Sequence, residues 1–476
     1  MDKKLEFNGG WLVSTIPMII FLISCLAFFV GFKVFDMVAL AVGGFIGLLI
    51  GAVFAKSSED YWNAVAKGIG STTSVYIVII LLVIGIFTKL MAISGVSQGF
   101  VWLADLIGMN GGLFTAFTFV ATCLITTATG SSIGTLFTAF PILFPAGILL
   151  GSNPSVLAGA ILSGAIFGDN LAPISDVTIA TSSTQEFKNK KGTADIAGVV
   201  LYRLKYAIIA GAISTILFII FGGGGQTTAG AEEILRQNMN PKGLYMLLPV
   251  IFLLITSIKT RDIFKSVIVG IVSGSIVGIL TGIFTSSSFL RLENGNVKGF
   301  IFEGFSSMIG ICIFCIALFG IMGVLEASGA MNKIIETFYR SKLSKTRKGT
   351  EILMGLGTIV VTALLGGVTS ASTLTFGPVV NDIGKKANIH PYRRANILSG
   401  YANSLPAIIP FISAFIFISA TVIKPMSEQF SYIPTVTPTE ITLGAFYPVI
   451  LFCILTFSII TGWDVKFEGE NGELIN

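Results

Sequence analysis

The chain has 476 residues, of which 53% are hydrophobic and only 12% are charged, and its mean hydropathy is +0.87. Because a soluble domain usually carries about a quarter charged residues, this composition excludes an ordinary soluble enzyme. The formal net charge of +5 gives no indication of nucleic-acid binding. The composition predicts an all-α polytopic membrane protein embedded in a lipid bilayer.

A transmembrane helix needs about 20 apolar residues, and ten runs along the chain are predicted to be such spans. They are Trp11–Val30, Val34–Ala55, Ser74–Ile93, Pro154–Thr181, Lys205–Phe221, Gly243–Ile258, Ser266–Thr285, Ser306–Leu325, Ala395–Ile423 and Thr442–Gly462. Two further apolar blocks, 112–150 and 351–380, are interrupted midway by Gly/Ser/Thr-rich patches. Each block is predicted to be a re-entrant helical hairpin that turns back at its patch.

Basic residues predict the orientation of the spans, since Lys and Arg concentrate in cytoplasmic loops. With the N-terminus inside and ten alternating spans, 23 of the 30 Lys and Arg residues fall in inner loops, 6 in outer loops and Lys89 within a span. The inner group includes Arg203, Arg393 and Arg394, and His390 is expected to be a solvated residue of these loops. We therefore expect a multi-pass protein of a bacterial-type plasma membrane with both termini cytoplasmic.

Short sequences recur in the two halves of the chain at nearly constant spacing. The sequence ILSG occurs at Ile161–Gly164 and again at Ile397–Gly400, 236 residues later. Thr129 and Thr369 begin related Ser/Thr-rich patches 240 residues apart. Since five spans and one hairpin separate related segments, the second copy is expected to be inverted in the membrane. Inverted repeats with discontinuous helices at the midplane are a common plan of secondary transporters.

This repeat divides the chain into five regions. They are a cytoplasmic N-terminus (1–10), a first inverted repeat with its hairpin (11–222, hairpin 112–150), an extracellular linker (223–242), a second inverted repeat with its hairpin (243–463, hairpin 351–380) and a cytoplasmic tail (464–476).

Four polar patches interrupt the apolar blocks at paired positions, two in the hairpins and two in broken spans. The predicted cation-binding residues are Asp169, Asn170, Ser175 and Asp176. The predicted substrate and ion pathway comprises Thr127, Thr129, Ser131, Ser132, Thr369, Ser370, Ser372, Thr373, Asn403 and Ser404. Gly and Pro unwind the helices and free backbone carbonyls for a small cation, while half-helix N-termini attract anionic groups.

The two acids of the first repeat are the distinctive feature of these patches. A carboxylate at mid-membrane costs about 2.5–3.5 kcal/mol on insertion scales, so it normally has a partner or faces a cavity. A buried carboxylate can hold either a proton or Na⁺, and competition between the two is the simplest basis for exchange. Oxygen ligands without a thiolate or imidazole cluster indicate Na⁺ rather than a transition metal.

Charge is distributed unequally between the repeats. The second repeat has Asn403 and Ser404 where the first has Asp169 and Asn170, so one half could hold the cation and the other a neutral or organic group. No nucleotide fingerprint, paired zinc motif or nucleophile elbow occurs, so neither ATP drive nor enzymatic turnover is indicated and no cofactor beyond the coupling ions is expected.

The run FGDNLAPISD resembles the NhaC-type sodium/proton antiporter family, within the wider ion-transporter superfamily. The resemblance rests on Gly168-Asp169-Asn170 followed by Pro173-Ile174-Ser175-Asp176, and on Ser399-Gly400 before the second polar break. It implies a Na⁺-coupled secondary transporter that exchanges Na⁺ for H⁺ by alternating access, with Asp169, Asn170 and Asp176 as ion-site residues.

Relatives of that family leave a second interpretation open. The chain would then be a Na⁺- or H⁺-coupled transporter or exchanger of an amino acid or a small carboxylate of the malate/lactate type, with the hydroxyl-rich hairpin tips binding the cargo carboxylate. A passive channel fits inverted repeats with broken helices less well than alternating access does. A homodimer is left open by the sequence.

Overall fold

The computed structural model describes residues 4–28, 32, 36–225, 239–260, 262–293 and 295–475. In the first half, a 3₁₀ turn (Trp11–Thr15) precedes α1 (Ile16–Leu26), α2 (Met37–Phe54), α3 (Ser58–Ile69), α4 (Thr72–Ile93), α5 (Val96–Leu106), α6 (Gly111–Thr129), α7 (Ser132–Leu149), α8 (Pro154–Leu171), α9 (Asp176–Ser183) and α10 (Ile196–Phe221).

The second half repeats this order with small additions. A 3₁₀ turn (Pro241–Met246) precedes α11 (Leu247–Thr260), α12 (Ile263–Leu280), α13 (Ser286–Phe289), the hairpin β1 (Arg291–Glu293) and β2 (Asn296–Lys298), α14 (Phe300–Ser307), α15 (Ile309–Ala327), α16 (Ala330–Tyr339), a 3₁₀ turn (Lys342–Lys345), α17 (Arg347–Leu364), α18 (Thr369–Lys386), α19 (Pro391–Ala402), α20 (Leu405–Ile408), α21 (Ala414–Gln429), α22 (Pro438–Gly444), α23 (Phe446–Thr461) and the antiparallel pair β3 (Phe467–Glu468) and β4 (Leu474–Ile475).

The predicted all-α polytopic fold is confirmed. Eight helices of the described chain are long and apolar enough to cross a bilayer, and the bent pair α22–α23, which meets at 57°, makes up to nine. The predicted span Ala395–Ile423 is divided into α19, α20 and α21 by breaks, as its polar patch indicates. The end of the first predicted span and linker residues 226–238 lie outside the described residues.

Related positions of the two repeats form the same turn. The Ser94 hydroxyl donates to the Met91 carbonyl at 2.7 Å and accepts from the Val96 amide at 3.3 Å. Ser328, 234 residues later, donates to the carbonyl of residue 325 at 3.0 Å and accepts from the amide of residue 330 at 3.3 Å. In both copies the next residue is a glycine in the left-handed region, with φ values of 72° and 70°. The repeat is therefore structural and not a chance similarity of small residues.

Glycines allow α3 and α4 of the first repeat to pack closely on α15 and α14 of the second repeat. A Cβ on Gly68 of α3 would lie 2.7 Å from the Cα of Gly323 in α15. A Cβ on Gly304 of α14 would lie 2.5 Å from the carbonyl oxygen of Gly85 in α4. Gly304 follows Gly68 by 236 residues and Gly323 follows Gly85 by 238, so both contacts join positions related by the sequence repeat, whose spacing varies by a few residues. Small residues permit this close approach of helices in a membrane.

The helices α4 and α15 run in opposite directions. The carbonyl of Ala327, at the end of α15, accepts the Leu5 amide at 3.0 Å, on the face where α2 also ends. Lys89, near the end of α4, lies 3.3 Å from Glu303 and shares a surface cavity with Asp36, which precedes α2. Related helices therefore end at opposite faces, which is the predicted inverted topology.

The first hairpin stops short of the full length of its neighbour α10. At its base the Asn153 amide donates to the carbonyl of Gly222, the residue after α10, at 2.8 Å. Its tip, at Gly130, packs against Ile174, in the break between α8 and α9, level with Arg203 of α10. Because α10 begins seven residues before Arg203, it extends about 10 Å beyond the tip at a rise of 1.5 Å per residue.

The C-terminal tail, residues 464–475, holds loops of both repeats together on one face of the molecule. The Glu468 carboxylate accepts the backbone amides of Lys188 and Asn189 at 2.7 to 2.9 Å. The His390 amide donates to the Lys466 carbonyl at 2.9 Å. We call this surface, which also carries the N-terminal segment at Ala327, the tail face.

Several charged residues assigned to solvated loops are buried beneath this face. Arg203, Arg393 and Arg394 are fully buried, and His390 is 1% exposed. The prediction that His390 is a solvated loop residue is therefore wrong. Its Nδ1 accepts the Tyr392 amide at 3.2 Å and its Nε2 faces the Gly472 carbonyl at 3.3 Å, an arrangement that requires a neutral ring protonated at Nε2.

Acidification should weaken the packing around His390. Burial lowers the pKa of this imidazole from 6.5 to about 4. Since the unfolded chain then binds the proton first, stability is lost as the pH falls from about 6.5 towards 4, by about 2 kcal/mol at pH 5. The melting temperature in detergent should fall between pH 7.5 and pH 5 by more in the wild type than in His390→Asn, whose amide oxygen can still accept the Tyr392 amide. An equal fall in both proteins would contradict this.

Candidate functional site

The break between α8 and α9 places a carboxylate inside the protein. Pro173 has no amide proton, so α8 ends at Leu171 and the chain is extended at Ala172. The Ser175 hydroxyl caps α9 by accepting the Val177 amide at 3.2 Å. The same hydroxyl donates to Oδ1 of Asp169 at 2.6 Å. The break therefore couples the start of α9 to the position of one carboxylate oxygen.

This break and both hairpin tips face one cavity of about 450 Å³. The cavity contains seven of the residues predicted from sequence, namely Thr129, Ser131, Ser132, Asp169, Asp176, Thr369 and Ser370. Gly130 between α6 and α7, and Gly366 and Gly367 between α17 and α18, have φ values of 63° to 76° and form the turns of the two tips. The remaining described lining is mostly aliphatic and aromatic. Polar groups from three broken elements thus converge in an otherwise apolar chamber.

The two acids of the cavity have different surroundings. Asp169 is 5% exposed, and within the described part of the chain only its Oδ1 has a hydrogen-bond partner. Asp176 is exposed to the cavity from the first turn of α9. None of the described lining residues is Lys, Arg or His. The cavity therefore presents two carboxylates whose charge is not neutralised by a basic side chain in its wall.

Arg203 contacts the α8–α9 break but is not part of the cavity wall. Its Nη1 donates to the Asn170 carbonyl at 2.5 Å and to the Thr178 hydroxyl at 3.2 Å, while Nη2 donates to the Thr181 hydroxyl at 3.2 Å. Among the described residues, no carboxylate lies within 4.0 Å of this guanidinium. Arg203 satisfies a carbonyl released at the end of α8 and places a positive charge beside Asp169 without forming an ion pair with it.

Asn170 connects the two repeats at the break. Its Oδ1 accepts the Ser399 hydroxyl of α19 at 2.7 Å. Its Nδ2, and both amide atoms of Asn396 on α19 and of Asn403 directly after it, are buried without a hydrogen-bond partner among the residues the structure describes. Buried amides without a protein partner are rare, and ordered water or a ligand is what usually satisfies them.

Other predicted residues lie away from the cavity wall, and their hydroxyls bond to backbone carbonyls three or four residues earlier in the chain. The hydroxyl of Thr127 donates to the Cys123 carbonyl, that of Ser372 to the Thr369 carbonyl, that of Thr373 to the Ser370 carbonyl and that of Ser404 to the Tyr401 carbonyl, at 2.7 to 3.1 Å. The structure thus brings seven of the fourteen predicted residues to the cavity. Ser175 bonds to Asp169 from outside the cavity wall, and Asn170, next to Asp169 in α8, bonds to Ser399 of the second repeat.

A buried ion pair near the tail face was not predicted from the sequence. Nε of Arg393 lies 2.7 Å from Oε1 of Glu351, and both side chains are fully buried. Nη1 of Arg393 also donates to the hydroxyls of Tyr206 and Ser458, each at 2.8 Å. The Tyr206 hydroxyl in turn donates to Asp464 at 2.8 Å. This network joins α17 and α19 of the second repeat to α10 of the first.

Comparison with known proteins gives matches over most of the chain. The model of the Na⁺/H⁺ antiporter family matches residues 7–223 and 232–454. The chain is 28% identical over 341 residues to the malate-2H(+)/Na(+)-lactate antiporter of Bacillus subtilis, covering 68% of this chain and 71% of that protein. It is 23% identical over 403 residues to the Na(+)/H(+) antiporter NhaC of Alkalihalophilus pseudofirmus, covering 79% and 82%. It is 24% identical over 427 residues to the arginine/ornithine antiporter ArcD of Halobacterium salinarum, covering 85% and 81%.

Proposed function

Because the chain belongs to the Na⁺/H⁺ antiporter family, as its GDN and PISD segments predict, we propose that it exchanges Na⁺ for H⁺ at Asp169 by alternating access. The observation that carries this proposal is the position of Asp169, a buried carboxylate at a helix break that faces the cavity formed by both hairpin tips. One carboxylate oxygen is oriented by Ser175 and the other is available to a ligand.

The chemistry of this position suits either ion. Hard cations bind carboxylate and hydroxyl oxygens, and the cavity presents both types, the carboxylate of Asp169 and the hydroxyls of tip residues such as Thr129 and Thr369. A proton or Na⁺ neutralises the buried carboxylate, whereas an empty site leaves a charge in an apolar chamber. Occupation by one ion therefore excludes the other, and the protein changes conformation most readily when the site is occupied.

The inverted repeat offers a route for this conformational change. Helices α3 and α4 of one repeat pack on α15 and α14 of the other through matching glycine contacts. Because the two repeats pack symmetrically, each repeat can adopt the conformation of the other. This exchange produces a second form of the protein in which the cavity opens to the opposite side of the membrane.

We further propose that both termini are cytoplasmic, in a bacterial-type plasma membrane. The tail face carries many of the Lys and Arg residues counted as inner from the sequence, including Lys188, Lys205, Lys385 and Lys466. An excess of basic residues on one face is the usual mark of the cytoplasmic side.

The size of the cavity favours an organic cargo as a second candidate function. A volume of about 450 Å³ is far larger than a single Na⁺ needs, since one water occupies about 30 Å³ in the liquid. Two relatives are named as antiporters of organic solutes, malate and lactate in one case and arginine and ornithine in the other. Under this alternative, Na⁺ or H⁺ drives the movement of a small organic molecule through the same cavity.

Reconstitution in proteoliposomes tests the proposed function. We expect an imposed Na⁺ gradient to drive proton movement, measured with an internal pH indicator, without any organic solute present. The same vesicles are then tested for Na⁺-dependent uptake of labelled amino acids and dicarboxylates. Proton movement that appears only when an organic solute is added would replace simple Na⁺/H⁺ exchange with the second candidate.

Removing the exposed cavity acid should weaken Na⁺ binding without abolishing exchange. In Asp176→Asn one of the two negative charges facing the cavity is lost, while Asp169 and its Ser175 contact remain. We expect the Na⁺ concentration for half-maximal exchange to rise about tenfold, as for loss of one charged hydrogen bond. Wild-type Na⁺ dependence across the working pH range would assign Asp176 to helix capping alone.

A further inference from the structure

The charge of the cavity wall restricts the kind of organic molecule that can enter it. Asp169 and Asp176 are the two charged side chains among the described lining residues. The nearest buried cation, Arg203, is turned towards the Asn170 carbonyl and the Thr178 hydroxyl. A dicarboxylate would therefore add negative charge to a chamber that already has two carboxylates and no basic side chain in its described wall.

The walls around these acids are suited to hydrocarbon. The cavity is lined by Tyr76, Ile80, Phe314, Leu318 and Phe417, among other apolar residues. The rings of Phe314 and Phe417 are 4.9 Å apart at their centroids, and the side chains are almost completely buried. A chamber of this volume with apolar walls and a few polar groups has the character of a site for a small organic ligand.

Two carboxylates facing one cavity can hold two positive charges at once. When Na⁺ or H⁺ neutralises Asp169, Asp176 still faces the chamber as an acceptor for a second cation. An ammonium group offers three donors and a compact charge, and aromatic faces attract such a cation further.

We propose that this cavity binds a protonated organic amine, with its ammonium group at Asp176, beside the ion site at Asp169, and its hydrocarbon part against the aromatic wall of Phe314 and Phe417. The inference rests on the proposed function in taking this cavity as the transport site. The second candidate function leaves open whether the organic cargo is a cation or an anion. This inference favours a cationic amine over an anionic carboxylate.

Three probes with the same hydrocarbon part test the proposal. Phenethylamine, phenylalanine and 3-phenylpropionate are titrated against the detergent-solubilised full chain in buffers containing Na⁺ or, in its place, K⁺, and binding is followed by calorimetry. We expect phenethylamine to bind and 3-phenylpropionate to bind at least about tenfold more weakly. Phenylalanine binding as tightly as the amine would support the proposal and show that the cavity tolerates a carboxylate on a molecule that carries an ammonium group.

Variants locate the bound amine. Asp176→Asn should weaken phenethylamine binding about tenfold, and Phe314→Leu should weaken it about twofold to tenfold, the range expected for the loss of a contact between two aromatic rings. Phe305→Leu, on the exposed side of α14 and outside the cavity wall, is the matched control and should bind as the wild type does.

The same preparation separates this inference from the proposed function. Intact Na⁺/H⁺ exchange in vesicles, together with no amine binding, would overturn the amine site alone. Equal binding of the amine and the carboxylate, or binding of phenylalanine without the amine, would also overturn it. Amine binding without Na⁺-driven proton movement would support the amine site and contradict the Na⁺/H⁺ exchange proposed at Asp169.

Discussion

Asp169→Asn should abolish Na⁺-driven proton movement while the protein still inserts and folds. The amide oxygen can accept the Ser175 hydroxyl as the carboxylate does, so the break between α8 and α9 is retained. The amide cannot bind a proton at working pH and carries no charge to attract Na⁺. Removing the charged partner of a buried cation costs about 2–5 kcal/mol, so we expect the initial rate of exchange to fall by about 30-fold to several thousandfold.

Two further variants show whether this loss is specific. Asp105→Asn makes the same substitution at an exposed position of α5 and should leave exchange at the wild-type level. Ser175→Ala keeps the Asp169 charge but removes the hydroxyl that orients it, so an intermediate loss is expected. The readout is the initial rate of Na⁺-driven pH change in proteoliposomes, normalised to inserted protein. Unimpaired Na⁺ flux in Asp169→Asn would remove this residue from the ion site.

The residues that line this cavity stand out in the sequence because their chemistry conflicts with the apolar segments around them. An acid, a proline and a run of hydroxyls inside apolar segments can be accommodated only at a helix break or a cavity, whatever the tertiary packing. Asp169 and the tip residues Thr129 and Thr369 were found in this way, and the structure brings all three to one chamber. The second hairpin tip could be predicted only from the internal repeat, because a Ser/Thr-rich patch by itself is also typical of ordinary helix packing in a membrane.

The buried cations could not be found by the same reasoning. Counting basic residues by loop assumes that helices begin where apolar runs begin, and the apolar run predicts a span that begins at Lys205. The helix begins nine residues earlier, at Ile196, because Asp195 caps it through the Gly198 amide at 2.6 Å. Arg203 therefore lies in the protein interior, where only its contacts with the α8–α9 break explain it.

Ion pairs between residues far apart in the sequence could not be predicted from the sequence either. Glu351 and Arg393 are separated by 42 residues and lie on different helices. Glu351 falls at the edge of an apolar block and Arg393 in a basic segment, so each resembles a residue at the membrane surface. Only the packing of α17 on α19 reveals that the two charges are buried together. A single sequence contains no periodic signal for such a pair.

Glu351→Leu should be the most destabilising substitution outside the cavity. It leaves the Arg393 guanidinium buried without its carboxylate, although the Tyr206 and Ser458 hydroxyls remain near Nη1. Breaking a buried ion pair by removing one partner costs about 3–5 kcal/mol, because the remaining charge stays out of water. We expect a clear fall in the melting temperature in detergent and a smaller yield of folded protein.

The double variant Glu351→Leu with Arg393→Met tests whether the cost comes from the unpaired charge. With both charges replaced by apolar side chains of similar size, the desolvation cost of each ion disappears, and buried pairs replaced in this way often recover or exceed the original stability. The double variant should therefore melt well above Glu351→Leu. Glu336→Leu, which removes the exposed partner of Lys333 on α16, is the control and should leave the melting temperature almost unchanged. If the double variant is as unstable as Glu351→Leu, the site needs the hydrogen bonds of Arg393 to Tyr206 and Ser458. The contact between the two repeats would then depend on these hydrogen bonds and not on pairing the two buried charges.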